Sequence, residues 1–182
     1  MRDNWKHCLS LILKEEGGND DDPRDPGGRT SRGVTQERWN QYRKEGHSDR
    51  PSDVWKAPQK DIEAIYKKYY WDPQKCDDLP SGMDLMHFNT TVNSGPGRSV
   101  KELQRAVRVP ADGKFGPQTL DACINCTSVP AVIEDLAHQR RNFYKSLKTF
   151  KTFGRGWLAR TDRIEKEALK MTKLKPIVEA EK

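Results

Sequence analysis

The chain's most constraining feature is an abrupt junction, where a helical pattern runs into a segment that cannot be helical. Trp5, Leu9, Ile12 and Leu13 stand at i, i+4, i+7 and i+8, the spacing of one helix face, with Asp3 placed to cap it and Gly17-Gly18 placed to stop it near residue 16. From Asn19 to Gly33 the residues are mostly Asp, Pro, Gly, Arg and Thr, which suit turns and a short hairpin. A polar, irregular segment must therefore start directly at a helix end.

Helical periodicity then returns and persists. Thr35 can cap a helix that carries Trp39 and Tyr42, and a further helix follows Pro58, with Ile62, Ile65, Tyr66, Tyr69 and Tyr70 at helical spacing. Residues 81–94 predict a central, largely buried helix ended by the turn Gly95-Pro-Gly97. Helices through Val100 and Leu103, from Gln118 and from Pro130 come next, and Phe153-Gly-Arg-Gly156 predicts a break before a last helix from Trp157 to about Met171. Strand content is minimal outside residues 19–34, so the predicted fold class is mainly α, with a short β-hairpin or turn region there. A chain of 182 residues suffices for one core or for two small lobes sharing one, and no run of about 18 apolar residues is present to span a membrane.

Hydrophobic residues make up 34% and charged residues 33%, which predicts a small core under a highly charged surface. The net charge of +6 is unevenly placed: residues 139–182 carry 13 Lys/Arg against 5 Asp/Glu, while residues 1–138 balance to −2. A basic last quarter suits a polyanion such as nucleic acid, an anionic membrane surface or an acidic cell-wall polymer, and it equally suits a solvated helix face. Cys8, Cys76, Cys123 and Cys126 include one C-x-x-C, yet no second pair and no His pair accompany it, so free thiols are expected rather than a zinc or redox site.

The chemistry concentrates at the junction. Glu15 and Glu16 close the first helix, although a helix C-terminus disfavours negative charge. At about 100° per residue Glu16 falls within about 20° of Trp5, along the apolar stripe, whereas Glu15 falls near 280°, off it. An apolar setting at the negative end of a helix dipole favours the neutral form of a carboxylic acid, the form that donates a proton. Glycosidic cleavage needs such an acid, with a second carboxylate to steer water or attack the sugar. Asp25 lies nine residues beyond Glu16, across a glycine-rich turn that can fold back on the helix end, and Thr30 supplies a hydroxyl able to orient water. The same glycines also serve as an ordinary helix stop and turn. Asp20, Asp21, Asp22 and Asp25 lack the ligand spacing of a calcium loop.

Glu16-Gly-Gly, Asp25-Pro-Gly-Gly28, Thr30 and Gly33-Val-Thr35 together resemble the signature of the glycoside hydrolase family 108 muramidases, which include phage endolysins and muramidases used in toxin secretion. Tyr70-Trp-Asp-Pro73, Val92-Asn-Ser-Gly-Pro-Gly97, Leu103-Gln-Arg-Ala106, residues 110–119, Arg140-Arg-Asn-Phe-Tyr144 and Phe153-Gly-Arg-Gly-Trp-Leu158 are similar to further blocks of that family, in the same order. The resemblance implies a lysozyme-like, two-lobed α fold that cuts the β-1,4 bond between N-acetylmuramic acid and N-acetylglucosamine. It also implies Glu16 as catalytic acid. The Asp25 to Thr30 interval of five is one shorter than in phage-type lysozymes, and Asn19 with three aspartates stands where most of the family has an aromatic or apolar residue.

On this basis Glu16, Asp25 and Thr30 are the expected catalytic residues, and Gly28, Arg29, Tyr70, Trp71 and Asn93 the expected substrate contacts. A catalytic lobe is expected over residues 1–80 and a helical, peptidoglycan-binding lobe over 81–175. No metal or organic cofactor is needed. The expected partner is the peptidoglycan glycan strand, with no nucleic acid, no stable membrane insertion and a monomer favoured. Synthesis in the cytoplasm without a signal peptide, followed by action in the periplasm or cell wall, is the expected localisation. Two rivals stay open: a non-catalytic peptidoglycan scaffold with a muramidase fold, and a nucleic-acid binder using the basic tail.

Overall fold

Residues 4–20 and 29–173 are described in a computed structural model of the chain. Helix α1 (Trp5–Glu16) buries Cys8, Leu9 and Ile12. It ends as Gly17 turns left-handed, at φ 72°. Three two-residue strands follow in an antiparallel sheet, β1 (Asn19–Asp20), β2 (Thr30–Ser31) and β3 (Val34–Thr35), paired β1-β2-β3. The β2–β3 connection is a two-residue turn in which both Arg32 and Gly33 have positive φ, 50° and 77°, the type I′ geometry that matches strand twist. Thr35 then caps α2 (Gln36–Lys44), its hydroxyl accepting from the Arg38 N–H at 3.2 Å.

Helix α3 (Gln59–Tyr66) buries Ile62, Ile65 and Tyr66. The chain continues as a π-turn over Lys67–Trp71, which breaks the 3.6-residue spacing: Tyr70 stays half-buried and Trp71 becomes fully buried. Two compact units result. One is Lys6–Tyr70, and the other is Trp71 onward together with the N-terminal residues as far as Trp5. The division thus falls before the expected boundary at residue 80.

In the second unit the rings of Trp5, Trp71 and Phe88 form a mutual cluster with centroids 5.2–5.8 Å apart. This cluster is why Trp71 and Trp5 group with α4 (Met83–Ser94), the central helix, which is buried on every side from Met83 to Thr91. Around it pack α5 (Pro96–Ala106), α7 (Val129–Ser146) and α8 (Phe150–Lys173), with α6 (Pro117–Ile124) between α5 and α7 in sequence. Gln104, buried on α5, ties down the Asp112–Thr119 loop by donating to Asp112 Oδ1 at 2.7 Å and by accepting from the Gly113 N–H at 2.9 Å. Packing and hydrogen bonds therefore account for that loop.

The expected break at residues 153–156 is absent, and α8 runs through it. Gly154 is required where it stands, because a Cβ there would lie 2.4 Å from the Phe150 ring. The glycine admits an aromatic ring to the helix surface instead of ending the helix. Cys8, Cys76 and Cys123 are buried and Cys126 is half-buried. Burial pushes the Cys123 thiol up to about 12, away from the thiolate that redox chemistry needs.

Candidate active site

Glu16 is the last residue of α1, and the hairpin turn folds back against it. A Cβ on Gly33 would lie 2.9 Å from both Cγ and Oε2 of Glu16 and 2.3 Å from the Tyr66 hydroxyl. Any side chain at that point would have to displace Glu16 and Tyr66, because backbone, carboxylate and phenol converge there. The positive φ of Gly33 independently favours glycine.

Several contacts hold the turn in place. Tyr66 donates its hydroxyl hydrogen to the Arg32 carbonyl at 2.9 Å. The Arg32 guanidinium donates to the Ala57 carbonyl at 2.7 Å and to Gln59 Oε1 at 2.8 Å. The Arg32 N–H donates to the Gly18 carbonyl at 3.0 Å, immediately beyond the helix end. Residues 57–66 and the residue just beyond α1 thus all hold one two-residue turn.

Thr30 and Arg29 lie in the same unit. Thr30 sits half-buried on β2, its Cα opposite Asp20 and Thr35, and its carbonyl accepts from the Trp55 indole at 2.9 Å. The Arg29 guanidinium lies 4.1 Å from the Trp55 ring centroid and pairs with Asp53 at 3.2 Å. Tyr70 stacks obliquely on Tyr66, with centroids 5.6 Å apart, which places it one ring away from the Glu16 carboxylate. Glu45 on the α2 end holds this π-turn by accepting from Lys68 at 2.5 Å and Tyr69 at 2.7 Å, and those two hydrogen bonds keep its carboxyl down at about 2. Glu45 is therefore held in its ionised form at neutral pH.

Two expected substrate contacts belong to the other unit. Trp71 has no exposed surface, and its indole donates to Asp77 at 2.9 Å, so no ring face is left for a sugar and it is a core residue. Asn93 is exposed at the end of α4, in the other unit, where its amide donates to the Asn89 carbonyl at 2.6 Å. Asp25 and Gly28 lie outside the described residues. Tyr66 was legible in the sequence only as a periodic core position, and nothing in the spacing marks its hydroxyl as a partner of the turn.

Comparison with known proteins then decides the family. Residues 9–95 match the family Glycosyl hydrolase 108, and residues 98–162 match a family described as a predicted peptidoglycan domain. The solved structure of Brucella abortus SagA aligns with a TM-score of 0.84 and 33% identity over 96% of this chain and 98% of that one. The chain belongs to the glycosyl hydrolase 108 family. No curated protein matches it. Family membership makes it a glycoside hydrolase, and the second match makes peptidoglycan its partner and the cell wall its place of action. The lysozyme-like, mainly α fold agrees with the expectation, and among the described residues no helix is long and apolar enough to cross a membrane. The first match runs on to residue 95, past the start of the second compact unit, so α4 belongs by sequence to the hydrolase family while it packs with the helices that follow.

Proposed function

We propose that the chain is an N-acetylmuramidase that cleaves the β-1,4 bond between N-acetylmuramic acid and N-acetylglucosamine, with Glu16 as the general acid. The observation that carries this reading is the convergence of Glu16, Gly33 and Tyr66. It sets one half-buried carboxyl group at the end of a helix, against a backbone turn where any side chain would have to displace Glu16 and Tyr66. A fixed acid within reach of the leaving oxygen lowers the cost of protonating it in the transition state.

In the proposed step Glu16 gives its proton to the glycosidic oxygen as the bond to the anomeric carbon breaks. Asp25 faces the developing positive charge on the sugar ring or activates the incoming water, and the Thr30 hydroxyl helps place that water. Arg29, Tyr70 and the Gly28 backbone are proposed to contact the glycan. The spacing from Glu16 and the family match support these roles. The catalytic work is assigned to the N-terminal part of the chain, and peptidoglycan binding to the helices that follow it.

Digestion of purified sacculi tests the bond directly. Borohydride reduction of the products before acid hydrolysis should yield muramicitol, because cleavage on that side of the disaccharide leaves a reducing muramic acid end. Glucosaminitol instead would assign the enzyme to the other glycosidic bond.

A further inference from the structure

The start of α8 carries aromatic surface that the fold does not need. Phe153 is 54% exposed, the largest exposure among the big apolar side chains described, and its ring lies 5.7 Å from the half-buried Trp157 at 33°. Trp157 in turn stacks on Tyr144 at 5.1 Å, and Tyr144 leans on Phe143, over which the Arg98 guanidinium sits at 3.7 Å. The inner rings of this ladder are fixed by packing, whereas its outer end is open.

Gly156 stands beside that open end and has no packing reason to be glycine. A Cβ there would meet nothing within 4 Å, its backbone is ordinarily helical, and glycine weakens a helix interior relative to alanine. Gly154, two residues earlier, has such a reason in the Phe150 ring. A bare patch of helix backbone flanked by Phe153 and Trp157 gives a flat ligand a close approach. Lys145, Lys148 and Lys151, all exposed, lie in the segment that leads from α7 into this surface.

We propose that Phe153, Gly156 and Trp157 form a stacking platform for pyranose rings of the glycan strand, with Lys145, Lys148 and Lys151 meeting the carboxylates of its peptides. The C–H face of a sugar is an apolar plate that suits an exposed ring, and the polymer's negative charge complements the basic last quarter of the chain. This rests on peptidoglycan being the substrate, and it names a part of the surface that holds it.

The test is co-sedimentation with purified sacculi at 4 °C, using Glu16→Gln protein as the parent so that the wall is not digested, and phosphatidylglycerol vesicles as a second surface. Phe153→Ala should weaken sacculus binding at least fivefold. Gly156→Ala should weaken it at least twofold while raising the melting temperature, an opposite pair of effects that a merely structural role does not give. Lys145, Lys148 and Lys151 changed together to Gln should flatten the salt dependence. Sacculus binding equal to the parent in Phe153→Ala and Gly156→Ala overturns the platform, as does a parent that fails to sediment. A loss confined to the vesicles overturns it also and assigns the face to membranes. Muropeptide release by protein with Glu16 intact is scored separately: its absence alongside Phe153-dependent sedimentation would sink the hydrolase mechanism and leave the platform standing.

Discussion

Gly33 lies against the Glu16 carboxylate so closely that the smallest possible side chain would come within 2.9 Å of Oε2, in a turn whose φ of 77° already favours glycine. The turn therefore packs directly against the acid. Gly33→Ala should cost about 2 kcal/mol or more, from left-handed strain together with overpacking against Tyr66, and should reduce muropeptide release at least tenfold. Urea unfolding and a sacculus assay read the two effects. A variant with native stability and native activity would show that the turn does not set the acid's geometry.

Tyr66→Phe removes only the hydroxyl that reaches the Arg32 carbonyl at 2.9 Å. The stability loss should be about 1 kcal/mol, typical of one buried hydrogen bond. If Tyr66 holds the turn against Glu16, kcat on soluble glycan fragments falls several-fold while KM stays near its original value. A change in KM alone would place Tyr66 in substrate binding instead.

Stability should depend on pH through α4. Complete burial holds the His87 imidazole down at about 3, between the Ser99 hydroxyl at 2.8 Å and Gln74 Oε1 at 3.2 Å. The unfolded chain binds that proton below about 6.5, so folding stability is fully present above that pH and drains away as the pH falls towards 3. Asp84 acts in the opposite sense. Burial raises its carboxyl to about 6, so its ionised form weighs against the fold and stability declines as the pH rises from about 4 to about 6. Between pH 6 and pH 4 the two effects largely offset each other, so denaturant unfolding should show little pH dependence from this pair in the native protein, and stability that rises as the pH falls in His87→Gln. The same pH profile in the native protein and in that variant would remove His87 from the explanation.

The thiols should react in two classes. Cys126 is half-buried, whereas Cys8, Cys76 and Cys123 are buried. Titration of the native protein with a thiol reagent should modify Cys126 first and expose the other three only with unfolding, and rapid native labelling of Cys123 would contradict its burial.

The sequence carried the helices because their apolar periods are clean, and it carried the turn and hairpin region because residues 19–33 are mostly Asp, Pro, Gly, Arg and Thr. Other features were hidden for physical reasons. The weak periodicity of α4 follows from burial of Asp84, His87, Asn89, Thr90 and Thr91 along with its apolar residues, which leaves no solvent face to set a period. The glycines at 154 and 156 read as a stop because composition does not reveal a ring lying on the helix, and packing against α7 outweighs their helix cost. Trp71 reads as a site residue beside Tyr70, yet the π-turn between them sends one outward and the other into the core. The half-buried place of Glu16 at the end of α1 was legible from the helix wheel. The role of Gly33 as its floor was not, since close approach between segments 17 residues apart is a tertiary fact.

The central claim is that Glu16 supplies the proton. Glu16→Gln keeps the side chain's shape and its place beside Gly33 and removes the transferable proton, so mass spectrometry of digested sacculi should show muropeptide release reduced by about a thousandfold or more in a protein whose unfolding curve is unchanged. Release near the native rate by that folded variant would contradict the assignment.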